Sequence, residues 1–344
     1  MTQLNWQTAT VLALRREAPE TVTVVFRPER PLAYEAGQYV MVRFRFGTVA
    51  LVRAYSLSSA PHESEYRLTV RETIGGRISQ HINRSLRVGE RFRISGALGD
   101  FCASRLAPED VPRPWVCVAG GAGITPLFSL IKNSRLQQPG RPIRLLHYHR
   151  HADQVIFRHE LEALTAHADF RQTPLFTKTA GDEAATPISV ERVLAEAAGL
   201  ERPLFWLCGS ENLVDTLQIG LVGEGIPETD IHVEHFVMNA QRTAPRSLVP
   251  QKLRFARRRL LLGRAHWRTQ QNAGESVLTA ALRAGIPVPH SCGQGHCGSC
   301  RLVLRHGRVE QDEPNCLTPG DARHGQILAC VAHAQTPCEF DIPR

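Results

Sequence analysis

No stretch of this 344-residue chain is apolar for long enough to cross a membrane without a break. The nearest, WVCVAGGAGITPLFSLI (115–131), is split at its centre by glycines and by Thr125-Pro126. It reads as strand, tight turn and helix, so no membrane insertion is expected. The first residues, MTQLNWQTATVLALRREAPE, lack a continuous apolar core followed by small residues; no export leader is read there and a cytoplasmic location is expected. Internal repeats, low-complexity tracts and nucleic-acid-binding motifs are absent, which argues against solenoid, disordered and nucleic-acid-binding classes. Disulfide staples are not needed in a chain this long. Nine cysteines, an odd number, therefore read as reduced thiols or metal ligands.

What is present is globular. Apolar residues at 42% and charged residues at 22% are the proportions of a folded protein, and the length calls for two or three cores. The formal charge of +8 is uneven: from Lys252 onward 13 Lys/Arg face 7 Asp/Glu, and KLRFARRRLLLGR (252–264) is the densest run. Such a run reads first as a hairpin with arginines on its wet side.

Along the first hundred residues, TVTVVF, YVMVRF, YRLTV and RFRIS are β-rich segments bounded by Pro and Gly turns, with one helix at ISQHINRSL (78–86). An antiparallel barrel over residues 1–107 is expected. Residues 108–238 then alternate strand and helix, including a helix over QVIFRHELEALTAHA (154–168), which implies a parallel sheet covered on both faces. VMNAQRTAPRSLVP has no periodicity; residues 239–251 read as a linker, and 252–344 as a third, α+β module.

That module holds PHSCGQGHCGSCRL. Cys292, Cys297 and Cys300 are spaced C-x4-C-x2-C, with Cys330 following in ILACVAH, the plant-type [2Fe–2S] arrangement. Gly293, Gly295 and Gly298 let the backbone curl so that its N–H groups face cluster sulfurs. Zinc fits less well, because only one C-x2-C pair is present; covalent haem would need His rather than Arg301 after Cys300. Cys102, Cys117, Cys208, Cys316 and Cys338 read as packing residues.

An iron–sulfur centre needs an electron source. RAYSLSSAP (53–61) offers an arginine for a phosphate and a tyrosine face for a ring; GGRISQHIN (75–83) opens a helix with free N–H groups. AGGAGITP (119–126) follows a strand and opens a helix, where a dinucleotide pyrophosphate binds, although it is G-x-G-x-x-P and not the full G-x-G-x-x-G. LCGSEN (207–212) ends a neighbouring strand.

These motifs, in this order, resemble the ferredoxin–NADP reductase superfamily, and with the cysteine module the chain is similar to flavin reductases that serve bacterial oxygenases, to hybrid-cluster protein reductases and to phenylacetyl-CoA epoxidase reductase subunits. The resemblance implies a flavin barrel, a nicotinamide domain and a β-grasp ferredoxin-like domain. It places Arg53, Tyr55, Ser56, Gly76 and Ser79 at the flavin. Gly121, Gly123, Thr125, Pro126, Cys208 and Gly209 fall at the nicotinamide, and Glu234 and Phe236 of VEHF match the family's acid and aromatic near the flavin, with Cys208 and Glu234 close to the nicotinamide and flavin. Cys-Gly-Ser stands here where the family often has Cys-Gly-Pro. FAD is implied over FMN by the SQHIN continuation; NADH and NADPH both stay open, since Arg150 stands where an acidic ribose ligand is missing. The implied activity is NAD(P)H-dependent electron transfer through flavin and [2Fe–2S] to a terminal oxygenase or another redox protein; because the C-terminal module is basic, where many plant-type ferredoxins are acidic, a partner with an acidic docking face is expected. A reductase for another redox protein and a redox sensor are the alternatives.

Overall fold

The computed structural model describes residues 5–47, 49–73, 76–177, 186–236, 247, 249–259, 263–290, 295, 300–312, 317 and 319–343. They form two compact units, one drawn from Asn5–Phe236 and one chiefly from Val237–Arg344.

In the first unit, β1 (Gln7–Ala18), β2 (Thr21–Pro28), β3 (Tyr39–Phe46), β4 (Val49–Ser56), β5 (Tyr66–Arg71) and β6 (Arg91–Leu98) form a sheet in the order β4-β3-β6-β1-β2-β5. An antiparallel bridge between Leu57 and Leu68 joins the end of β4 to β5 at the remaining seam, which curls the sheet into a barrel. Alternation sets the interior: Ala9 and Val11 on β1 and Phe92 and Ile94 on β6 are buried, while Arg91 and Arg93 between them face outward. α1 (Arg77–Arg84) covers one end, burying Ile78, Ser79, Ile82 and Asn83. The Asn83 amide donates to the Val70 carbonyl at 3.0 Å and ties α1 to β5.

The same unit continues with β7 (Trp115–Gly120), α2 (Ile124–Gln137), β8 (Ile143–His149), α3 (Arg158–Leu164), β9 (Phe170–Phe176), α4 (Val190–Ala197), β10 (Leu204–Gly209), α5 (Glu211–Gly223) and β11 (Ile231–His235). The strands pair in parallel in the order β11-β10-β7-β8-β9. Trp115, Cys117 and Trp206 pack with α2 and α3 on one face; Val116, Val118 and Leu207 pack with α4 and α5 on the other. Strands buried on both sides need continuous apolar runs, which WVCVA and LFWLC supply. The helix expected over 154–168 is shorter. Phe157 adopts a left-handed φ of 59°, so the chain breaks there and α3 begins only at Arg158. Burial against the Phe128 ring, stacked at 4.4 Å, holds that conformation.

Several contacts fix the barrel to the parallel sheet. Ser129 donates to the Ser59 carbonyl at 2.6 Å, Arg67 pairs with Glu160 at 2.9 Å, and Lys132 pairs with Glu63.

The second unit starts with β12 (Gln251–Arg259), one residue inside the segment read as linker, and β13 (Gly263–Gln271). It continues through α6 (Val277–Arg283), β14 (Arg301–His306), β15 (Val309–Gln311), α7 (Pro319–Arg323), β16 (Gln326–Leu328), β17 (Ala332–Ala334) and β18 (Cys338–Asp341). The main sheet runs β13-β12-β18-β14-β16, with β12 and β18 parallel and the other pairs antiparallel; β15 and β17 form a separate ribbon. One helix laid on a mixed sheet whose first and last strands pair in parallel is the β-grasp arrangement. Its core joins Phe255, Leu302 and Phe340 to Val277, Ala280 and Ala281 of α6.

Phe340 is 1% exposed, with its ring 5.3 Å from that of Phe255. Phe340→Ala removes that ring from a closed core and is expected to cost about 3–5 kcal/mol. Urea unfolding followed on both units checks it: the midpoint of the C-terminal unit falls while the first unit's transition stays in place.

Candidate functional site

The order of the parallel sheet reverses between β7 and β10, and the loops after these two strands leave in opposite directions. Ligands of open α/β sheets bind in the crevice this creates at the carboxyl edge. Here the crevice is lined by glycine because the two turns touch. A Cβ built on Gly123 would lie 2.2 Å from the Cys208 carbonyl oxygen, and one on Gly209 would lie 3.1 Å from the Gly120 Cα. Gly121 has φ +52° and a Cβ there would meet the Arg71 guanidinium at 3.0 Å. Thr125 donates its hydroxyl to the Ala122 carbonyl at 3.0 Å and braces the turn from the first turn of α2. Pro126 is tolerated there because N–H groups in a first turn have no helical partner.

The next strand brings in an acid. Parallel pairing sets Glu234 of β11 beside Cys208 of β10. Glu234 is half-buried as a residue, yet its Oε2 is enclosed and unpaired among the described residues. Burial pushes its carboxyl up to about 8. The Cys208 thiol, fully buried, is raised by its own burial and then by Glu234. Phe236 donates its backbone N–H to the Gly209 carbonyl at 2.7 Å, and its ring is 40% exposed.

On the barrel, Arg53 and Tyr55 are partly buried on β4 and Ser56 is buried; Arg53 donates to the Val52 carbonyl at 2.7 Å. At the start of α1 the Ser79 hydroxyl accepts from the Thr73 N–H at 3.0 Å and donates to the Gly76 carbonyl at 2.9 Å. A Cβ at Gly76 would lie 2.5 Å from that hydroxyl, so the turn closes only around glycine.

In the second unit Cys300 precedes β14 and Cys330 follows β16, and their sulfurs lie 3.2 Å apart. The Gly295 N–H, from a residue at φ +76°, donates to the Cys330 sulfur at 3.2 Å. Cys292 and Cys297 lie outside the described residues. Cys102, Cys117, Cys208 and Cys338 are buried in packing positions, and Cys316 is outside the described residues.

Three family models match this chain in order: an oxidoreductase FAD-binding domain over residues 15–102, an oxidoreductase NAD-binding domain over 117–218, and a 2Fe-2S iron-sulfur cluster binding domain over 264–335. The chain carries these three domains in one polypeptide, an architecture like that of the ferredoxin–NADP reductases with a 2Fe-2S domain added. It is an NAD(P)H-dependent oxidoreductase with FAD and [2Fe–2S] as cofactors. Among curated proteins, it is 29% identical to the ferredoxin reductase component of 3-ketosteroid-9-alpha-monooxygenase from Rhodococcus rhodochrous, over 95% of this chain and 94% of that one. It is 24% identical to a 1,2-phenylacetyl-CoA epoxidase component from Escherichia coli K12, over 95% of each. Phthalate dioxygenase reductase shares the fold of the whole chain, with a TM-score of 0.61 at 23% identity and 98% of each chain covered.

The residues fit these groups. The turn closed by Gly76 and Ser79 is a cradle that a side chain would fill, the crevice of Gly121 and Gly123 is another, and Cys300, Cys330 and the Gly295 N–H are the soft donors and the amide a cluster takes. Arg71 and His147 were not singled out from sequence. Arg71 ends β5 and leans over Gly121; His147 is buried beneath the same glycine, with Nε2 3.1 Å from the Gly121 carbonyl. The available signal was a pair of imidazoles, His147 and His149, two residues apart in the strand IRLLHYH and so on one face of it.

Because the folded pKa of Glu234 lies above its unfolded value, the folded state holds a proton that the unfolded state releases earlier. Stability is therefore fully present below about 4.3, the ordinary carboxyl value, and is lost as pH rises toward about 8. Glu234→Gln is expected to match wild type in thermal melts at pH 4.5 and to be the more stable of the two at pH 8.5.

Proposed function

We propose that this protein is the reductase component of an oxygenase system, taking electrons from NAD(P)H and handing them to a separate redox protein. One observation carries the reading. The same chain holds a nicotinamide crevice edged by Cys208, Gly209 and Glu234 and, in its own folded module, a convergent thiol pair with a backbone N–H donor. Two-electron input and one-electron output are thus built into one polypeptide. The relatives named above, a monooxygenase reductase component and an epoxidase component, favour an oxygenase as acceptor. We further place the protein in the cytoplasm.

When bound, FAD accepts a hydride from the nicotinamide and the [2Fe–2S] cluster passes electrons on singly. The chain's own residues orient and shield. Gly121 and Gly123 admit the dinucleotide backbone, Thr125 and Pro126 fix the turn, and Cys208 and Gly209 limit the depth to which the ring enters. Glu234 holds a proton near neutral pH at Oε2, in a place water does not reach. Phe236 covers the ring edge with its half-exposed face. Arg53, Tyr55 and Ser56 seat the flavin, with Gly76 and Ser79 presenting the start of α1 to its phosphates. Cys292, Cys297, Cys300 and Cys330 ligate the cluster.

An anaerobic visible-absorbance titration, with NADH and NADPH in separate cuvettes, tests the relay. Bleaching of both flavin and iron–sulfur bands is expected, with the preferred nicotinamide acting at the lower concentration. Cys330→Ser should keep flavin bleaching and lose cluster-dependent reduction of an external one-electron acceptor by at least tenfold. A wild-type protein that lacks cluster bands, or whose cluster stays oxidised, sinks the reading.

The acceptor is proposed to dock through an acidic face. The C-terminal quarter carries a net charge of +6, and Lys252, Arg254 and Arg268 are exposed on the β12–β13 hairpin. Encounter between opposite charges is screened within about 8 Å at physiological salt. The rate of electron transfer to the true acceptor is expected to fall severalfold between 50 mM and 500 mM salt; indifference to salt removes the acidic face from the proposal.

A further inference from the structure

The dinucleotide turn is held from below. His147 lies on β8, the strand beside β7, and is 1% exposed. Its Nε2 is 3.1 Å from the carbonyl oxygen of Gly121, and its ring lies 3.7 Å from that of His149, also buried. A carbonyl oxygen can only accept, so this contact requires Nε2 to carry the hydrogen. Burial, reinforced by His149, drives the His147 pKa well below the ordinary value, so the ring is neutral and Nδ1 bears a lone pair. Nδ1 is enclosed and has no hydrogen-bond partner among the described residues. The single donor of this imidazole is therefore committed to Gly121.

The geometry of the peptide bond gives that commitment a consequence. In a planar trans peptide the C=O and the following N–H point in opposite directions. Anchoring the Gly121 carbonyl down toward β8 turns the Ala122 N–H away from the sheet, toward the mouth of the crevice. Gly121 is free to take this orientation because it lacks a Cβ and sits at φ +52°. The Arg71 guanidinium stands on the mouth side, close to where a Gly121 side chain would project. Arg71 is itself held half-buried near the charge of Arg150, which lowers its pKa after the larger effect of burial. The Arg71 guanidinium and the outward N–H thus face one small volume beside the turn.

Resting on the nicotinamide reading above, we propose that His147 is a positioning residue for the diphosphate of NAD(P)H, acting through the Gly121–Ala122 peptide and never touching the substrate. A donor at this place holds the amide aimed at the phosphate oxygens; without it the Gly121 carbonyl keeps only the Ile124 N–H of its own turn, and nothing from β8 fixes the tilt of the peptide. The effect falls on binding and not on hydride transfer, because the reacting ring lies at the other turn, beside Cys208 and Glu234.

The test compares wild type, His147→Phe and His147→Gln in stopped-flow flavin reduction, together with competition by ADP and by adenosine. His147→Phe is expected to raise KM for the preferred nicotinamide about tenfold, with the limiting reduction rate changed less than twofold. The ADP inhibition constant should rise by the same factor and that of adenosine should not move, since only ADP carries the diphosphate. His147→Gln keeps a donor of similar reach and should recover most of the affinity. Unchanged KM and ADP inhibition in a folded His147→Phe protein overturn the proposal, as does a fall in limiting rate at constant KM. Should His147→Phe not fold, His147→Gln and His147→Leu carry the comparison, and equal KM in those two overturns it as well. A wild type whose flavin no nicotinamide reduces would instead refute the underlying reading, so the two failures are distinguishable.

Discussion

The first unit depends on one steric fact: there is no room for a side chain between Gly123 and the carbonyl of Cys208. A methyl group there would push the turn after β7 away from the turn after β10. That would open the crevice, shift the start of α2 and loosen Trp115, Cys117 and Trp206 from the helices behind them. The same closeness brings Cys208 next to the turn after β7, and strand pairing then sets Glu234 beside it. Site and core are therefore not separate constructions; the packing that stabilises the sheet also sets the width of the binding edge.

Electrostatics along that edge divides into two regions. Beside the turn after β7, the Arg71 guanidinium brings positive charge close to Gly121. At the ends of β10 and β11, the groups are neutral near pH 7: Cys208 keeps its proton, and the burial of Glu234 leaves its carboxyl largely protonated. A dinucleotide is charged at its diphosphate and flat and weakly polar at its reacting ring, so the division matches the two parts of such a molecule. The ion pairs between barrel and parallel sheet, Arg67 with Glu160 and Lys132 with Glu63, keep the flavin-type elements in register with this edge.

Much of this was legible in the residues. GGAGITP after WVCVA reads as a strand, a tight turn and a helix start, and its place at the first such turn of an alternating domain points to a dinucleotide; the alternation implies a covered parallel sheet but does not give the β7–β10 reversal. The cysteine spacing was equally direct, and the two described members, Cys300 and Cys330, do come together. Other features were not legible. β1 runs twelve residues through LALRREA, where charges hide the strand, because its second half lies toward the barrel surface and its charged side chains find partners on other elements, Arg15 with Glu65 and Glu17 with Thr23. The helix around HELEAL looked longer than it is, since nothing local announces a left-handed Phe157; a stacked ring from α2 selects it. The environment of Glu234 and the bond from His147 to Gly121 are invisible for the same reason. Each is created by a neighbouring strand, and local pattern carries no record of which strands will be neighbours.

The place of β18 in its sheet has a consequence for how the protein is made. β18, at Cys338–Asp341, lies in the interior of that sheet, between β12 and β14. Until those residues leave the ribosome, β12 and β14 have no strand to join them, and Phe255 and Leu302 have no Phe340 to close over. The cysteine loop is therefore synthesised on an unfinished support, while the first unit, whose contacts lie upstream, is free to fold as the chain emerges. Maturation of the two halves is ordered in time: the nicotinamide and flavin half comes first, and the iron–sulfur half acquires a stable frame only once β18 has been made and has slotted between its neighbours.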